Sequence, residues 1–303
     1  MRRRQGYPLI FGVLMGLLLT GLVGWTWLAG LASGGWEHPS RCYDVVTAEG
    51  QVLFSTGLRV HVGDEFIAPD DSVYRVTQLA GFTATAAHVD SLSGLPQVEG
   101  AAVPAVPRGV ADKLLIVYHS HSDESYLPTD GTTSRWGRGS IIKVGEVFAA
   151  ALQDQGFGVI HDKSPHDPHD ARAYVRSRRT VVRNLQHRPF ALFDVHRDTP
   201  PAKVYRYERE DGPTATKVLL VIGRQNPLMS TNLFVARSLK RTADRLYPGF
   251  ILGIFFARGN YNQDLDPGCI LLEMGSTYNL REQAEEGAKI MAEVIAATFG
   301  APR

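Results

Sequence analysis

Residues 113–124 read KLLIVYHSHSDE, a short apolar run followed at once by two histidines and two acids. A continuous apolar run of this length is typical of a strand that is buried on both faces of a sheet. The polar residues would then lie at the carboxyl end of the strand, where open α/β sheets place their functional groups. They form either a metal site or a polar loop that happens to follow a strand.

The chain after this strand alternates between helical and strand patterns. Apolar residues at helical spacing predict helices in SIIKVGEVFAAALQDQG, ARAYVRSRRTVVRNLQ, STNLFVARSLKRTADRLY and LREQAEEGAKIMAEVIAATF. Short apolar runs predict strands in FGVI, FALFDV, KVLLVIG, ILGIFF and CILLEM. This order predicts an α/β domain over residues 111–303, with a mostly parallel sheet and helices on both of its faces.

The segment before this domain has a different pattern. Residues 37–90 contain short alternating runs separated by turn signals, which predicts a small all-β module with a hairpin around Glu49-Gly50. Nothing in the module indicates chemistry, and we interpret it as a packing or partner-binding unit. Residues 91–110 are rich in small residues, proline and glycine, which is typical of a linker.

The N-terminus predicts a membrane anchor. Its apolar part, residues 8–32, is roughly 37 Å long as a helix, which is enough to span a bilayer with some tilt. The arginines at positions 2–4 place residues 1–7 in the cytoplasm and the rest of the chain outside. The rival interpretation is a cleaved signal peptide, although the apolar run is longer than a usual signal core. Both interpretations export the domain.

The composition is globular, with 44% apolar and 21% charged residues among 303. A net charge of +1 and the lack of any RNA- or DNA-binding motif argue against a nucleic-acid partner. Cys42 and Cys269 lie far apart in dissimilar contexts. One disulfide would fit, but two separately buried thiols are favoured.

Three predicted strand ends carry groups suited to metal chemistry. His121 and Glu124 have the HxxE spacing, so both can face one ion across a turn, and His196 follows the strand FALFDV. Two imidazoles and a carboxylate with an open position for water are the pattern of catalytic zinc. Glu273, between Leu272 and Met274 at the end of CILLEM, is a candidate general base.

His119 competes with His121 for the role of ligand, because strand alternation puts both on the same side. The HxxE spacing favours His121 and leaves His119 as a ligand, a partner of a ligand, or a substrate contact. Further polar residues are candidates for substrate binding or transition-state stabilisation. They are His166, Arg172, Arg197, Asn262 and Asp264.

Six stretches, in this order, resemble the stage II sporulation protein P family. They are YHSHSDESYLP, VGEVFAAALQDQGFGVIHDKSPHD, AYVRSRRTV, DVHRD, YNQDL and LLEMGSTYN, and the resemblance runs from about Tyr43 to Phe299. DVHRD and YNQDL together are quite specific. One departure is visible, since the family's first motif usually has threonines (HTHTTES) where this chain has HSHSDES, so Asp123 adds a charge beside Glu124.

The resemblance implies a membrane-anchored, zinc-dependent peptidoglycan hydrolase of endospore-forming bacteria, with a fold related to N-acetylmuramoyl-L-alanine amidases and zinc carboxypeptidases. It implies cleavage of the N-acetylmuramoyl-L-alanine amide and of peptide cross-links, in septal wall thinning during engulfment. It also implies stage II sporulation proteins D and M as partners. Carried over to this chain, the Zn²⁺ ligands are His121 or His119, Glu124 and His196, with Glu273 as the base.

Two other functions fit the same residues. A zinc carboxypeptidase that trims stem peptides would need a cation for the terminal carboxylate, and Arg172, Arg176 or Arg197 could serve. A wall-binding scaffold with a degenerate site would need no complete ligand set. The retention of His121, Glu124, His196 and Glu273 together argues against the scaffold.

Overall fold

The structure, a computed structural model, describes residues 41–93, 113–210 and 212–300. The predicted tail and anchor (1–7 and 8–32) and most of the predicted linker lie outside these residues. Within the described ranges, none of the helices combines the length and the apolar character that crossing a bilayer requires. Cys42 and Cys269 are both free thiols, as predicted, but only Cys269 is buried and Cys42 is partly exposed.

The predicted N-terminal strands are present with one exception. They are β1 (Tyr43–Val46), β2 (Val52–Thr56), β3 (Glu65–Ile67), β4 (Val73–Ala80) and β5 (Thr83–Val89). The predicted hairpin is confirmed, because β1 pairs antiparallel with β2 and Gly50 has a positive φ of 85°, which glycine adopts without strain. The alternating run LRVHV (58–62) forms no strand.

The remaining chain contains every long helix and strand that the sequence predicts. In order, the elements are β6 (Leu114–Tyr118), α1 (Leu127–Asp130), α2 (Ile141–Asp154), β7 (Gly158–His161), α3 (Ala173–Leu185), β8 (Ala191–Asp198), α4 (Ala202–Tyr205), β9 (Arg206–Tyr207), β10 (Ala215–Thr216), β11 (Val218–Gly223), α5 (Met229–Leu246), β12 (Ile251–Ala257), β13 (Cys269–Ser276) and α6 (Arg281–Phe299). The two short helices and the β9–β10 pair were not predicted.

The sheet is mixed, so the prediction of a mostly parallel sheet is wrong. Eleven strands pair in the order β2-β1-β5-β4-β3-β12-β11-β13-β8-β6-β7. β13, β8, β6 and β7 are mutually parallel, but β11 pairs antiparallel with β13. The 19 residues between β8 and β11 contain no helix long enough to return across the sheet. β11 therefore starts at the edge where β8 and β13 end.

The N-terminal strands belong to the same sheet as the α/β part. β3 pairs antiparallel with β12, and Phe66 of β3 stacks on Phe54 with ring centroids 4.1 Å apart. Gly253 of β12 leaves the room for this, since a Cβ there would overlap the ring of Phe66. The β module thus extends the main sheet edge, which its alternating pattern did not reveal. Its boundaries as a separate domain stay a prediction.

Helices cover both faces of the α/β part, as predicted. α2, α5 and α6 pack on one face, where Phe148 meets Phe193 edge-on at 5.7 Å. α3 packs on the other face, where Val181 joins a small cluster with Tyr118. Burial of each large apolar side chain contributes about 1.5–3 kcal/mol. The inward face of α3 also carries Ser177, Thr180 and Asn184, whereas the apolar side chain of Val182 is exposed.

Candidate metal centre

The predicted ligands meet at one edge of the sheet. β6, β8 and β13 are neighbouring parallel strands, so their carboxyl ends lie side by side. His121 and Glu124 follow β6, and His196 lies near the end of β8. Glu273 of β13 is paired with His196 in the strand register. Three segments far apart in sequence therefore deliver the polar groups to one place.

Two histidines face one carboxylate oxygen. Nδ1 of His121 and Nδ1 of His196 each lie 3.1 Å from Oε1 of Glu124. Ligand atoms of these three residues all lie within 4.8 Å of one another. Their side chains are only 2%, 1% and 2% exposed, in the order His121, Glu124, His196.

This donor set fits a zinc ion. Imidazole nitrogen and carboxylate oxygen bind zinc at about 2.0–2.2 Å, so ligands around one ion lie a little over 3 Å apart. Within the described residues, Nε2 of His121 is buried and has no hydrogen-bond partner. A buried imidazole that lacks a partner on one nitrogen is costly unless the ring serves some further purpose. Metal coordination would supply such a purpose.

The charges of the cluster are balanced within it. Burial would raise the pKa of Glu124, but the positive charges of His196 and Arg197 and the two imidazole contacts hold it well below its usual range. Burial would lower the pKa of His196, but Asp194 and Glu124 raise it well above its usual range. Burial and His169 lower the pKa of His121 to about 4. The carboxylate is thus ionised and ready to bind a cation.

Arg197 braces the carboxylate. Its backbone N–H donates to Oε2 of Glu124 at 2.9 Å, and its guanidinium lies 4.0 Å from Oε1. The same guanidinium donates to the carbonyl oxygens of Ser125 and Thr133, at 3.4 and 3.2 Å. Arg197 therefore ties Glu124 and the segment that follows it to the end of β8. Its predicted role in stabilising an oxyanion stays a prediction, as does the role of the 2% exposed Glu273 as a base.

The geometry places His119 outside the ligand group. Its Nδ1 lies 2.8 Å from the carbonyl oxygen of Val195, and its Nε2 lies 2.8 Å from Nε2 of His161. Both ring nitrogens are therefore engaged inside the fold. Burial lowers the pKa of His119 to about 4, so the ring is neutral. Between the two candidates that the spacing left open, the contacts favour His121 as the ligand.

The predicted substrate-binding residues lie in different settings, and their roles stay predictions. His166 is buried, with Nδ1 2.7 Å from the carbonyl oxygen of His119 and Nε2 2.8 Å from Oγ1 of Thr180. Arg172 is exposed at the start of α3. Asp264 accepts two hydrogen bonds from Arg178, at 2.8 and 2.7 Å. Asn262 is buried and donates to the helix α3, at Tyr174 and Ser177.

Asp123, the departure from the family motif, bonds to residues other than the three candidate ligands. It accepts a hydrogen bond from Ser134, and its Oδ1 lies 3.1 Å from Nδ1 of His169. The ring of His169 stacks on His121 with centroids 3.9 Å apart. The added charge is thus paired with an imidazole. The loop that carries His169 lies directly over one face of a candidate ligand.

The sequence interpretation missed Asp194. Oδ1 of this carboxylate lies 2.9 Å from Nε2 of His196, and the side chain is fully buried. The signal was present in FALFDVH, because an acid two residues before His196 in an apolar strand faces the same side of the sheet. The hydroxyl group of Ser120, which donates to Asp194, and that of Ser177, which contacts Ser120, had no such signal in the sequence.

Comparison with known proteins identifies the family. The sequence profile of the family described as Stage II sporulation protein P (SpoIIP) matches residues 103–296. The chain belongs to this family. Stage II sporulation protein P of Bacillus subtilis (strain 168) is 30% identical over 210 residues, which is 62% of this chain and 51% of that protein. The chain thus spans about half the length of this SpoIIP relative.

Solved structures with a similar chain path are N-acetylmuramoyl-L-alanine amidases. The amidase of Mycobacterium smegmatis is 15% identical and has a TM-score of 0.41, with 64% of this chain and 99% of that chain covered. The amidase of Clostridium difficile 630 is 14% identical and has a TM-score of 0.38, with coverages of 63% and 95%.

Proposed function

We propose that this SpoIIP family member is a zinc-dependent peptidoglycan hydrolase that cleaves the N-acetylmuramoyl-L-alanine amide and peptide cross-links. The observation that carries the proposal is the buried group of His121, Glu124 and His196, whose ligand atoms lie within 4.8 Å of one another. The two imidazoles and one carboxylate leave a tetrahedral position for water, as in catalytic zinc sites. A structural site would be closed by a fourth side chain.

Each residue has a role in the proposed reaction. When bound, zinc lowers the pKa of a coordinated water to about 7 and polarises a carbonyl group. His121, Glu124 and His196 hold the ion. Glu273, paired with His196 in the strand register, accepts a proton from the attacking water and returns it to the leaving amine. Arg197, 4.0 Å from Glu124, stabilises the charge that develops on the carbonyl oxygen.

The cellular role is part of the same proposal. A single-pass anchor at residues 8–32 holds the domain outside the cytoplasm, at the septum, where it thins the wall during engulfment. Its partners are the stage II sporulation proteins D and M. Family membership over residues 103–296 supports this role. The zinc carboxypeptidase and the non-catalytic scaffold remain the competing functions.

The test uses the purified full-length chain with isolated sacculi. We expect about one zinc per chain, and fragments with a free muramoyl lactyl group together with separated cross-linked peptides, identified by mass. Glu273→Gln should keep its zinc and lose about 10²–10⁴-fold in rate, the range for removal of a general base. The matched control is Glu65→Gln, which removes a buried carboxylate bonded to Arg75 in the N-terminal strands.

The outcomes separate the candidates. A released terminal amino acid without free lactyl groups would favour the carboxypeptidase. A parent protein that binds no zinc and releases nothing would leave the scaffold. Full activity of Glu273→Gln would show that the base is another group, while the zinc site itself would stand.

A further inference from the structure

A line of buried polar side chains leads from the loop after β12 to the ring of His196. Nδ2 of Asn262 donates to Oγ of Ser177 at 3.0 Å, and Oγ of Ser177 lies 2.8 Å from Oγ of Ser120. Oγ of Ser120 donates to Oδ2 of Asp194 at 2.6 Å, and Oδ1 of Asp194 lies 2.9 Å from Nε2 of His196. All five side chains are at most 3% exposed.

The donor and acceptor chemistry gives this line one direction. A carboxylate only accepts, so the Ser120 hydroxyl must give its hydrogen to Asp194. The amide nitrogen of Asn262 only donates, so the Ser177 oxygen accepts from it, and the Ser177 hydroxyl has two acceptors within reach, the Ser120 oxygen at 2.8 Å and the carbonyl oxygen of Tyr174 at 3.2 Å. Asp194 also accepts the backbone N–H of Ser120 at 2.8 Å. Two hydrogen bonds from Ser120 therefore hold Asp194, and the imidazole of His196 lies against the same carboxylate as an ion pair, with Nε2 2.9 Å from Oδ1.

The contact with Asp194 decides which nitrogen of His196 remains for a ligand. With Nε2 on Asp194, Nδ1 is the nitrogen that faces Glu124, at 3.1 Å. A half turn of the ring would exchange the two nitrogens and take Nε2 away from the buried Asp194 carboxylate, with which it forms the ion pair. The carboxylate thus fixes the orientation of the ring.

Two features around this line of side chains are uncommon, a buried serine on the inward face of α3 and positive φ angles in the loop after β12. α3 turns Ser177 toward the sheet where an apolar residue would pack. Tyr261 and Asn262 both have positive φ, 54° and 59°, a conformation that is strained for a bulky residue such as Tyr261 and that Asn adopts more readily. Strain of this kind is typical of functional sites. Here it delivers the Asn262 side chain to the outer end of the line.

We propose that Asp194 is a positioning residue for His196, and that Ser120, Ser177 and Asn262 hold the Asp194 carboxylate in place. The inference rests on the metal centre of the proposed function and assigns it four residues beyond the ligands. It also gives a shared purpose to four separate motifs, HSHSDES, AYVRSRRTV, DVHRD and YNQDL. Partners of this type typically change metal affinity by about 10–100-fold.

The experiment measures the zinc affinity of the full-length chain by competition with a chromophoric chelator. We expect Asp194→Ala to bind zinc about 10–100-fold more weakly than the parent. Asp194→Asn keeps an oxygen that can accept from Nε2, so it should lose less. Ser120→Ala removes one support of the carboxylate and should lose least. The absorption spectrum of bound cobalt(II) should shift in the Asp194 variants, because the ring of His196 is no longer fixed.

Asp64→Asn is the matched control. Asp64 is also fully buried, and it accepts hydrogen bonds from the backbone N–H of His61 at 2.8 Å and from Arg224 at 3.0 Å. It lies on the loop before β3, away from the ligands in sequence and in the sheet order. Its replacement should lower the stability of the zinc-free protein, measured by urea unfolding, and leave zinc affinity and the cobalt spectrum unchanged.

Each possible result either supports or overturns the proposed role of Asp194. Unchanged zinc affinity in Asp194→Asn and Ser120→Ala would overturn the inference and leave the proposed function standing. An equal loss in Asp64→Asn would also overturn it, because the effect would then follow from stability alone. A parent that binds no zinc would overturn both. If Asp194→Ala does not fold, Asp194→Asn and Ser120→Ala carry the test, because each keeps hydrogen-bonding groups around the site.

Discussion

Two histidine-rich loops follow neighbouring parallel strands, yet only one supplies a candidate metal ligand. The β6 loop (residues 119–125) places His121 beside Glu124, with Nε2 lacking any partner among the described residues. The β7 loop (residues 162–170) buries His166 with both ring nitrogens bonded, to the carbonyl oxygen of His119 and to Thr180. A buried histidine is thus available to a metal when one ring nitrogen faces a carboxylate and the two ring nitrogens are not both bonded to backbone or hydroxyl groups.

The largest expected effect comes from replacing the two histidines that this comparison contrasts, His121 and His166. His121→Ala should lower zinc affinity by more than the ~100-fold that marks the upper range for residues outside the ligand set. His166→Ala should keep one zinc per chain and lower the free energy of unfolding by about 1–3 kcal/mol, because a buried carbonyl and hydroxyl lose their partner. Zinc content after exhaustive dialysis measures zinc binding in both variants. Urea unfolding measures the free energy of unfolding.

The reverse pattern would contradict the assignment. If His166→Ala lost its zinc while His121→Ala retained it, the β7 loop would be the ligand source. His88→Ala serves as the reference, since His88 lies on β5 in the N-terminal strands and should change neither quantity by much.

Sequence reasoning named the three residues that the structure brings together, His121, Glu124 and His196, because their signals are local. HxxE spacing, and the position of His196 directly after an apolar run, need no knowledge of the sheet order. The choice between His119 and His121 could not be made in the same way. It depends on Val195 and His161, which approach His119 only after β7 and β8 have taken their places beside β6.

The incorrect predictions, of a mostly parallel sheet and of the inward face of α3, also concern contacts between distant parts of the chain. The direction of β11 depends on how the short connection after β8 folds, which the apolar pattern of KVLLVIG does not record. The inward face of α3 was predicted from apolar residues, but the helix covers the polar line that ends at Asp194, so Ser177 is buried and Val182 is exposed. At Ser177, polar contacts therefore take the place of the apolar contacts that the pattern of α3 predicted.

The second prediction concerns the backbone of the β6 loop, which Gly139 contacts closely. A Cβ at Gly139 would overlap backbone atoms of Asp123 and Glu124, so Gly139→Ala must push the loop that carries the carboxylate. We expect zinc affinity to fall about tenfold, the lower range for residues that position ligands. Gly158→Ala is the control in β7, where the added methyl would make an ordinary contact with Leu114 at 3.5 Å. Equal affinities in the two variants would show that the loop is free to adjust.

The third prediction concerns the contact between the two loop regions, the His119–His161 pair. Burial lowers the pKa of His119 to about 4, and burial, His119 and Lys163 lower the pKa of His161 to about 3, from 6.5. The unfolded chain therefore binds these protons below pH 6.5, and the folded chain does not until about pH 4. The stability that the pair contributes is complete above pH 6.5 and is lost as the pH falls toward 4.

The comparison of the parent with His161→Gln isolates this effect, because the raised pKa of His196 acts in the opposite direction in both proteins. Between pH 7 and pH 5 the zinc-free parent should lose on the order of 1 kcal/mol more free energy of unfolding than His161→Gln. Urea unfolding at the two pH values gives the difference. Parallel pH dependence in parent and variant would mean that the pair titrates alike in the folded and unfolded chains.

The smallest expected effect lies where the two loops meet, at Asp123 and His169. Oδ1 of Asp123 lies 3.1 Å from Nδ1 of His169, and the other carboxylate oxygen accepts from Ser134. Burial would raise the pKa of Asp123, but His169 and Ser134 lower it, so the charge is present and already paired. The carboxylate is buried, 4% exposed, and its charge is balanced by these two partners where it lies.

Asn keeps an oxygen that can accept from His169 or Ser134, so Asp123→Asn should change zinc affinity by less than about fivefold, which corresponds to about 1 kcal/mol. Glu124→Gln, one residue along, should abolish tight binding, so the two adjacent substitutions form a matched pair read by one chelator titration. If Asp123→Asn weakened zinc as strongly as Glu124→Gln, the carboxylate that this chain has in place of the family's threonine would have to be counted with the ligands. The stacking of His169 on His121 would then be part of the metal centre, and the division between the two loops would no longer hold.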